Sequence, residues 1–225
     1  MHIIWHGQSC FQILASPHQK TNGGGQVCIA IDPFDETTGL KPPSFSADLL
    51  LITHDHRDHN NKKAIKGDPL IVDGPGEYEA KDVYTVGVHS WHDEKDGKER
   101  GNNTIYVIEA EDMRVCHLGD FGQKELTAEQ LDKIGDVDIL MIPVGGAYTI
   151  DAKGANKVIS QIEPRIVIPM HYHIPKLNPP AGGKLDGVDK FLKEMGKKSV
   201  ESQQKLLIKK KDLPTEETNI VVLKP

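Results

Sequence analysis

The sequence predicts an α/β protein folded as one domain, residues 1–225, and three observations carry that prediction. Short apolar runs rich in β-branched residues recur along the chain, as in Val27-Cys28-Ile29-Ala30-Ile31 and Ile139-Leu140-Met141-Ile142. Between the later runs, residues 123–134 and 152–162 place apolar side chains at helical spacing. Several of the strand-like runs also empty directly into histidine or aspartate, so the polar chemistry collects where strands end. A chain of 225 residues is long enough for one substantial core and requires no second.

Taken in order, Ile3-Ile4-Trp5 and residues 10–14 read as two strands about the turn His6-Gly7-Gln8-Ser9. A glycine-rich turn at 21–25 then leads to a third strand at 27–31, which makes a meander. The apolar run at 47–52 is a buried strand, residues 60–70 are expected to hold a short helix, and Asp73-Gly74-Pro75-Gly76-Glu77-Tyr78 reads as a turn. The strand at 83–88 delivers His89-Ser90-Trp91-His92-Asp93, and an acidic, glycine-containing loop separates it from a strand at 103–109. The strand at 115–118 ends in Gly119-Asp120, where glycine permits close backbone approach. A helix over 123–134 stops at Gly135, and the strand 137–144 opens into Gly145-Gly146-Ala147-Tyr148. After the helix at 152–162, the strand 165–170 ends in His171-Tyr172-His173. Residues 177–183 read as a rim rich in proline and glycine, 188–195 as a helix, and 205–208 and 220–223 as closing strands.

Composition narrows the function classes. An apolar fraction of 37% and a charged fraction of 27% suit a water-soluble globule, and no apolar run approaches the roughly 20 residues that span a bilayer. The N-terminal residues carry no basic segment, long apolar segment and cleavage site in succession, so the protein is expected to stay in the cytoplasm. Three cysteines without CxxC spacing predict reduced packing residues rather than a disulfide framework or a thiolate zinc cluster. A formal net charge of -6 disfavours a nonspecific grip on nucleic acid, although the lysines at 193–198 and 209–211 are local basic stretches.

The run Thr53-His54-Asp55-His56-Arg57-Asp58-His59, directly after a buried strand, is the densest polar segment of the chain. So many imidazoles and carboxylates could not all find partners in an apolar interior. They suit a metal site: His54 and His56, two apart where extended chain gives way to loop, can converge on one cation, while Asp58 and His59 can reach a second.

This His-x-His-x-Asp-His segment resembles the signature of the metallo-β-lactamase-fold hydrolases. The resemblance implies a four-layer αββα sandwich with one or two zinc-type ions at the sheet edge, a framework that serves lactams, lactones, thioesters, phosphodiesters and nucleic acids. It extends over nearly the whole chain and looks nearest to small stand-alone hydrolases similar to the ascorbate-6-phosphate lactonases. Where such hydrolases often carry Gly-His-Ser, this chain has Gly7-Gln8-Ser9, and His6 is nearby but shifted. Asp32, before Pro33, is either a plain turn residue or a support that accepts the second N–H of a ligand imidazole.

The resemblance also completes the ligand set. His89 and His92 compete as the third imidazole for the first metal, and His92 is favoured because it stands immediately before the acidic loop. Asp120 is the candidate bridge between the metals, and His171 fits the last ligand, joining Asp58 and His59. His117 reads as a support or packing residue with a ligand role left open. Tyr148, in its glycine-rich loop, and Tyr172, beside His171, are the candidate substrate contacts, and a plain connector is an equal reading for the loop.

Such a site implies a hydrolase in which two Zn2+ ions lower the pKa of a shared water from about 15.7 towards 7 and so supply hydroxide. Mn2+ and Fe2+ use the same ligand types. Asp58 and Asp120 are the candidate catalytic carboxylates, and the substrate is expected to be a small molecule or nucleotide carrying a lactone, ester or phosphodiester. Ribonuclease or weak β-lactamase activity at the same site is the enzymatic alternative. A metal-binding interaction module without catalysis is the alternative from another class.

Overall fold

The computed structural model describes residues 1–16, 25–178 and 183–225, so parts of the expected turn at 21–25 and rim at 177–183 lie outside the described residues. The strands are β1 (His2–Gly7), β2 (Cys10–Ala15), β3 (Val27–Ile31), β4 (Leu49–Leu51), β5 (Leu70–Val72), β6 (Gly76–Ala80), β7 (Val83–Trp91), β8 (Asn102–Ala110), β9 (Met113–His117), β10 (Ile139–Pro143), β11 (Ile166–Met170), β12 (Leu206–Leu207) and β13 (Asn219–Ile220). The helices are α1 (Ala128–Ile134), α2 (Ala152–Ile162) and α3 (Val188–Glu194).

Two mixed sheets result, in the orders β12-β1-β2-β3-β4-β5 and β13-β11-β10-β9-β8-β7-β6. The period of two along the early strands decides what each face meets. Trp5, Ile13, Ile29 and Leu49 join a core cluster shared with the second sheet, whereas Cys28, Ala30, Leu50 and Ile52 face the other way and are covered by Ala47 and Ile65. α1 packs on β7, and α3 on α2, which sinks Ala152, Ala155, Ile159 and Ile162 into the main cluster. This is the expected α/β sandwich. Among the described residues no helix is long and apolar enough to cross a membrane.

Some local expectations fail for identifiable reasons. Residues 60–70 hold one 3-10 turn, Lys62–Ala64, because Asn61 donates to the Pro33 carbonyl and Lys66 to that of Phe45, and Leu70 then starts a strand against β4. The turn expected through Tyr78 becomes β6, paired with β7 across Lys81 and Asp82, both at positive φ. α1 starts at Ala128 rather than residue 123, since Thr127 and Gln130 form a reciprocal cap there.

The sheets are fastened to each other just before His54. The buried Tyr106 of β8 directs its hydroxyl to the Ile52 carbonyl at 2.9 Å and that of Val72 at 3.2 Å, and Thr104 N–H donates to the Thr53 carbonyl at 2.8 Å. Tyr106→Phe should therefore lower stability by about 1–2 kcal/mol, read as a reduced urea midpoint at unchanged slope. An unchanged midpoint would show that the hydroxyl carries none of the fastening.

Candidate metal centre

β3, β4 and β5 run parallel in one sheet, and β9, β10, β11 and β13 run parallel in the other, with β7 antiparallel to β8 and β8 to β9. Their C-terminal ends consequently share one edge of the sandwich, the place where open parallel sheets collect ligands. Residues 54–59 arrive after β4, His92 after β7, Asp120 after β9 and His171 after β11.

The donor atoms of His54, His56 and His92 lie within 4.8 Å of one another, and so do those of Asp58, His59 and His171. Between the groups stands Asp120, whose Oδ2 lies 3.3 Å from the Nε2 of each of His59, His92 and His171. All of these side chains are buried except His56. The structure thus brings together every histidine and aspartate singled out as a ligand. His89 is not among them: it is exposed, meets Trp91 edge-on and contacts Asn102, because alternation along β7 points it away from the edge.

Supporting hydrogen bonds orient the cluster. Asp32 accepts from Thr53 N–H at 2.8 Å, from Thr53 Oγ1 at 2.7 Å and from His59 Nδ1 at 2.9 Å, so it is the support for a site imidazole rather than a bare turn residue. With its own hydroxyl proton given to Asp32, Thr53 Oγ1 accepts from His54 Nδ1 at 2.9 Å. These bonds place both ring protons on Nδ1 and leave the Nε2 lone pairs of His54 and His59 facing the cluster. His117 supports from behind: its Nε2 donates to the Ser9 carbonyl at 2.9 Å while its Nδ1 accepts from Gly119 N–H at 3.1 Å. Both of its nitrogens are committed, which closes a ligand role.

The Nε2 atoms of His54 and His59, Nδ1 of His92 and both ring nitrogens of His171 are buried without a hydrogen-bond partner. A buried imidazole lone pair is costly unless a donor or a cation satisfies it, and each of these rings, when neutral, offers one such lone pair. The electrostatics point the same way. Burial alone would lower the His59 pKa, yet Asp120, Asp58 and Asp32 raise it well above the imidazole range, so this spot favours positive charge. Burial would raise Asp120, but His171 and His59 hold it well below the carboxylate range. Burial, then His59, keeps His54 neutral and free to donate its lone pair. This donor set fits one or two divalent cations of the zinc type.

A cavity of ≈ 630 Å³ opens over the cluster, lined in part by His56, Arg57, Asp58, Arg100, Asp120, Tyr148 and His171. Tyr148 sits in the wall, its ring beneath the Arg100 guanidinium at 5.3 Å and its hydroxyl accepting from Gly183 N–H at 2.6 Å. Tyr172 requires correction. It is buried against Trp5 at 5.0 Å between ring centroids, with its hydroxyl on the Leu223 carbonyl, so it is a packing residue and not a substrate contact. His6, stacked on Phe45, also lies away from the cavity lining.

Sequence reasoning missed three supports. Gln8 donates its amide to Asp58 Oδ2 at 3.2 Å and Ser9 its hydroxyl to Asp120 Oδ1 at 3.2 Å. Asn103 accepts from Asp120 N–H at 2.9 Å while donating to the Leu118 carbonyl and to Ser90 Oγ, both at 2.8 Å. A polar residue at a strand start, paired with the Gly119-Asp120 strand end, was the signal available for Asn103.

Two sheets face to face, with imidazoles and carboxylates at their common edge, are what the motif resemblance implied. Residues 2–171 match the family model described as a β-lactamase superfamily domain. A UPF0173 metal-dependent hydrolase of Thermoplasma acidophilum is 31% identical over 200 residues, which span 76% of this chain and 83% of its own. One of Thermococcus onnurineus is 32% identical over 197 residues, 74% of this chain and 82% of its own. A Thermotoga maritima crystal structure, provisionally described as a Zn-dependent hydrolase of the metallo-β-lactamase superfamily, is 32% identical, superposes with a TM-score of 0.73 and covers 99% of this chain and 98% of that one. The chain belongs to the β-lactamase superfamily, in its metallo-β-lactamase fold.

Asn103→Ala tests the support of Asp120. It strips the Asp120 N–H of its acceptor and the Leu118 carbonyl of a donor, so stability should fall by about 1–3 kcal/mol and metal affinity by about 10- to 100-fold. Denaturant titration and competition with a chromophoric chelator read the two effects, and unaltered affinity would deny Asn103 a positioning role.

Proposed function

We propose that the protein is a hydrolase that works with two bound divalent metal ions. The carrying observation is that the buried Nε2 atoms of His54, His59 and His171 have no hydrogen-bond partner and that those of His59 and His171 lie 3.3 Å from Asp120 Oδ2. His54, His56 and His92 would hold one ion and Asp58, His59 and His171 the other, with Asp120 between the two groups. Zinc is favoured by the nitrogen and oxygen donors, and manganese and iron suit the same donor types. Bound there, such ions would supply Lewis acidity and a water acidic enough to ionise near neutral pH.

The chain's own residues contribute orientation and proton handling. Asp120, anchored through its backbone by Asn103 and through Oδ1 by Ser9, keeps Oδ2 aimed at the three imidazoles. Asp58 lines the cavity, braced by Gln8, where its carboxylate is placed to take a proton from the attacking water and return it to the departing oxygen. Tyr148 and Arg100 form one wall against which a substrate can lie. The bond cleaved is read as a lactone, ester or phosphodiester of a small molecule or nucleotide. Three buried, unbridged cysteines support a reducing, cytoplasmic setting.

Protein purified without chelator is expected to carry one to two transition-metal ions per chain. Lactones, bis(p-nitrophenyl) phosphate, single-stranded RNA and nitrocefin, screened with added zinc or manganese, should reveal turnover that His59→Ala combined with Asp120→Asn abolishes together with metal binding. A folded, metal-free and inactive protein would favour the interaction module, and full activity of the double variant would refute this site.

A further inference from the structure

The cavity over the cluster has an unusual charge pattern for a protein of net charge -6. Arg57 and Arg100 both line it, one from the loop between His56 and Asp58, the other from the loop after β7. Arg57 is exposed and makes no ion pair or hydrogen bond among the described residues. Arg100 has no carboxylate partner among them: Nη1 donates to the Tyr148 carbonyl at 2.9 Å, and the guanidinium carbon lies over the Tyr148 ring, 5.3 Å from its centroid. The neighbouring acid, Glu99, is already paired with Lys95.

The other polar groups of the wall are largely engaged. Thr37 donates its N–H and hydroxyl to Asp35, and Thr38 its hydroxyl to the Asp35 carbonyl. The loop that presents Arg100 is fixed, since Asp93 accepts the N–H groups of Lys95, Gly97, Glu99 and Arg100 at 2.7–3.0 Å. A guanidinium held in place forfeits little entropy on binding an anion, and its fork matches phosphate or carboxylate oxygens.

With two divalent cations below, the carboxylates of Asp58 and Asp120 would leave the floor of the cavity positive. Two further unpaired cations on its wall then repel the floor and each other unless the occupant is negative. We infer that the substrate carries an oxyanion, a phosphate ester or a carboxylate, next to the bond that is cut, and that Arg57 and Arg100 bind it. This rests on the hydrolase reading above and gives it a substrate class.

The test compares metal-loaded wild type with Arg57→Ala, Arg57→Lys, Arg57→Glu and Arg100→Ala on three reporter esters. p-Nitrophenyl acetate is neutral, p-nitrophenyl hemisuccinate adds one carboxylate, and bis(p-nitrophenyl) phosphate is an anionic phosphodiester, so the two anionic arms distinguish carboxylate from phosphate. The ratio of kcat/KM for an anionic ester to that for acetate should fall about tenfold in each alanine variant, the size of one charge-assisted hydrogen bond. It should fall further in Arg57→Glu and recover in part in Arg57→Lys. Calorimetric binding of phenylphosphonate should weaken about tenfold in the alanine variants. If the esters are hydrolysed but neither the ratio nor phenylphosphonate binding responds to the arginines, the inference is overturned and the hydrolase reading stands. If no ester is hydrolysed yet phenylphosphonate binding depends on Arg57, the anion site stands and the hydrolase reading falls. Arg57 is solvent-exposed, so its variants decide the matter even if Arg100→Ala does not fold.

Discussion

Lone pairs and carboxylates aimed at one another in a buried corner are the constraint to which the rest of the molecule answers. Asp120 Oδ2 has three imidazole nitrogens at 3.3 Å, and Asp58 and Asp32 also bear on His59. In a medium of low polarity such an arrangement is unstable without positive charge at its centre. It persists only where the surrounding structure over-determines each group. Gly119 illustrates how tightly: at φ +57, a Cβ on it would come within 2.3 Å of Asn103 Oδ1, the atom that anchors the Asp120 backbone.

The backbone shares the burden. Gln8, Asp32 and His171 all adopt positive φ without being glycine, and each sits where a strand turns over the edge. Conformations of this kind cost of order 1–3 kcal/mol each and survive where neighbouring bonds enforce them. Here Asp32 N–H is tied to the Leu51 carbonyl at 3.0 Å and His171 N–H to the Gln8 carbonyl at 3.1 Å, so one strained corner braces another. The stability that offsets them comes from the apolar cluster shared by the two sheets, which runs along the strands up to Leu51, Leu118 and Met170, next to the site residues.

What could be read from residues alone follows the same division. The run at 54–59 stood out because an apolar strand that stops in so many ligand-type residues has no packing explanation, whereas His92 and His171 were picked out through the family resemblance; the structure brings all of them together with Asp120. Residues whose neighbours come from far along the chain were not legible. Tyr172 follows a site histidine, but its direction is set by Trp5 and the chain near Leu223, and it turns into the core. Residues 60–70 look locally helical, yet their backbone groups are claimed by Pro33 and Phe45. Asn103 and Ser9 were silent because a buried amide or hydroxyl discloses its role only when its partner is known.

Gln8 shows how a departure from a family pattern can preserve the physics while changing its dependence on conditions. The resemblance places an imidazole in the turn after β1, and this chain has a carboxamide there whose nitrogen donates to Asp58 Oδ2 at 3.2 Å. An imidazole would also donate, but it can gain a proton and add a charge beside His59, whose position is already drawn towards positive charge by three carboxylates. A carboxamide offers the same donor at any pH and adds no charge to the corner. Asp58 is thereby held by a donor that keeps its charge and its N–H at any pH.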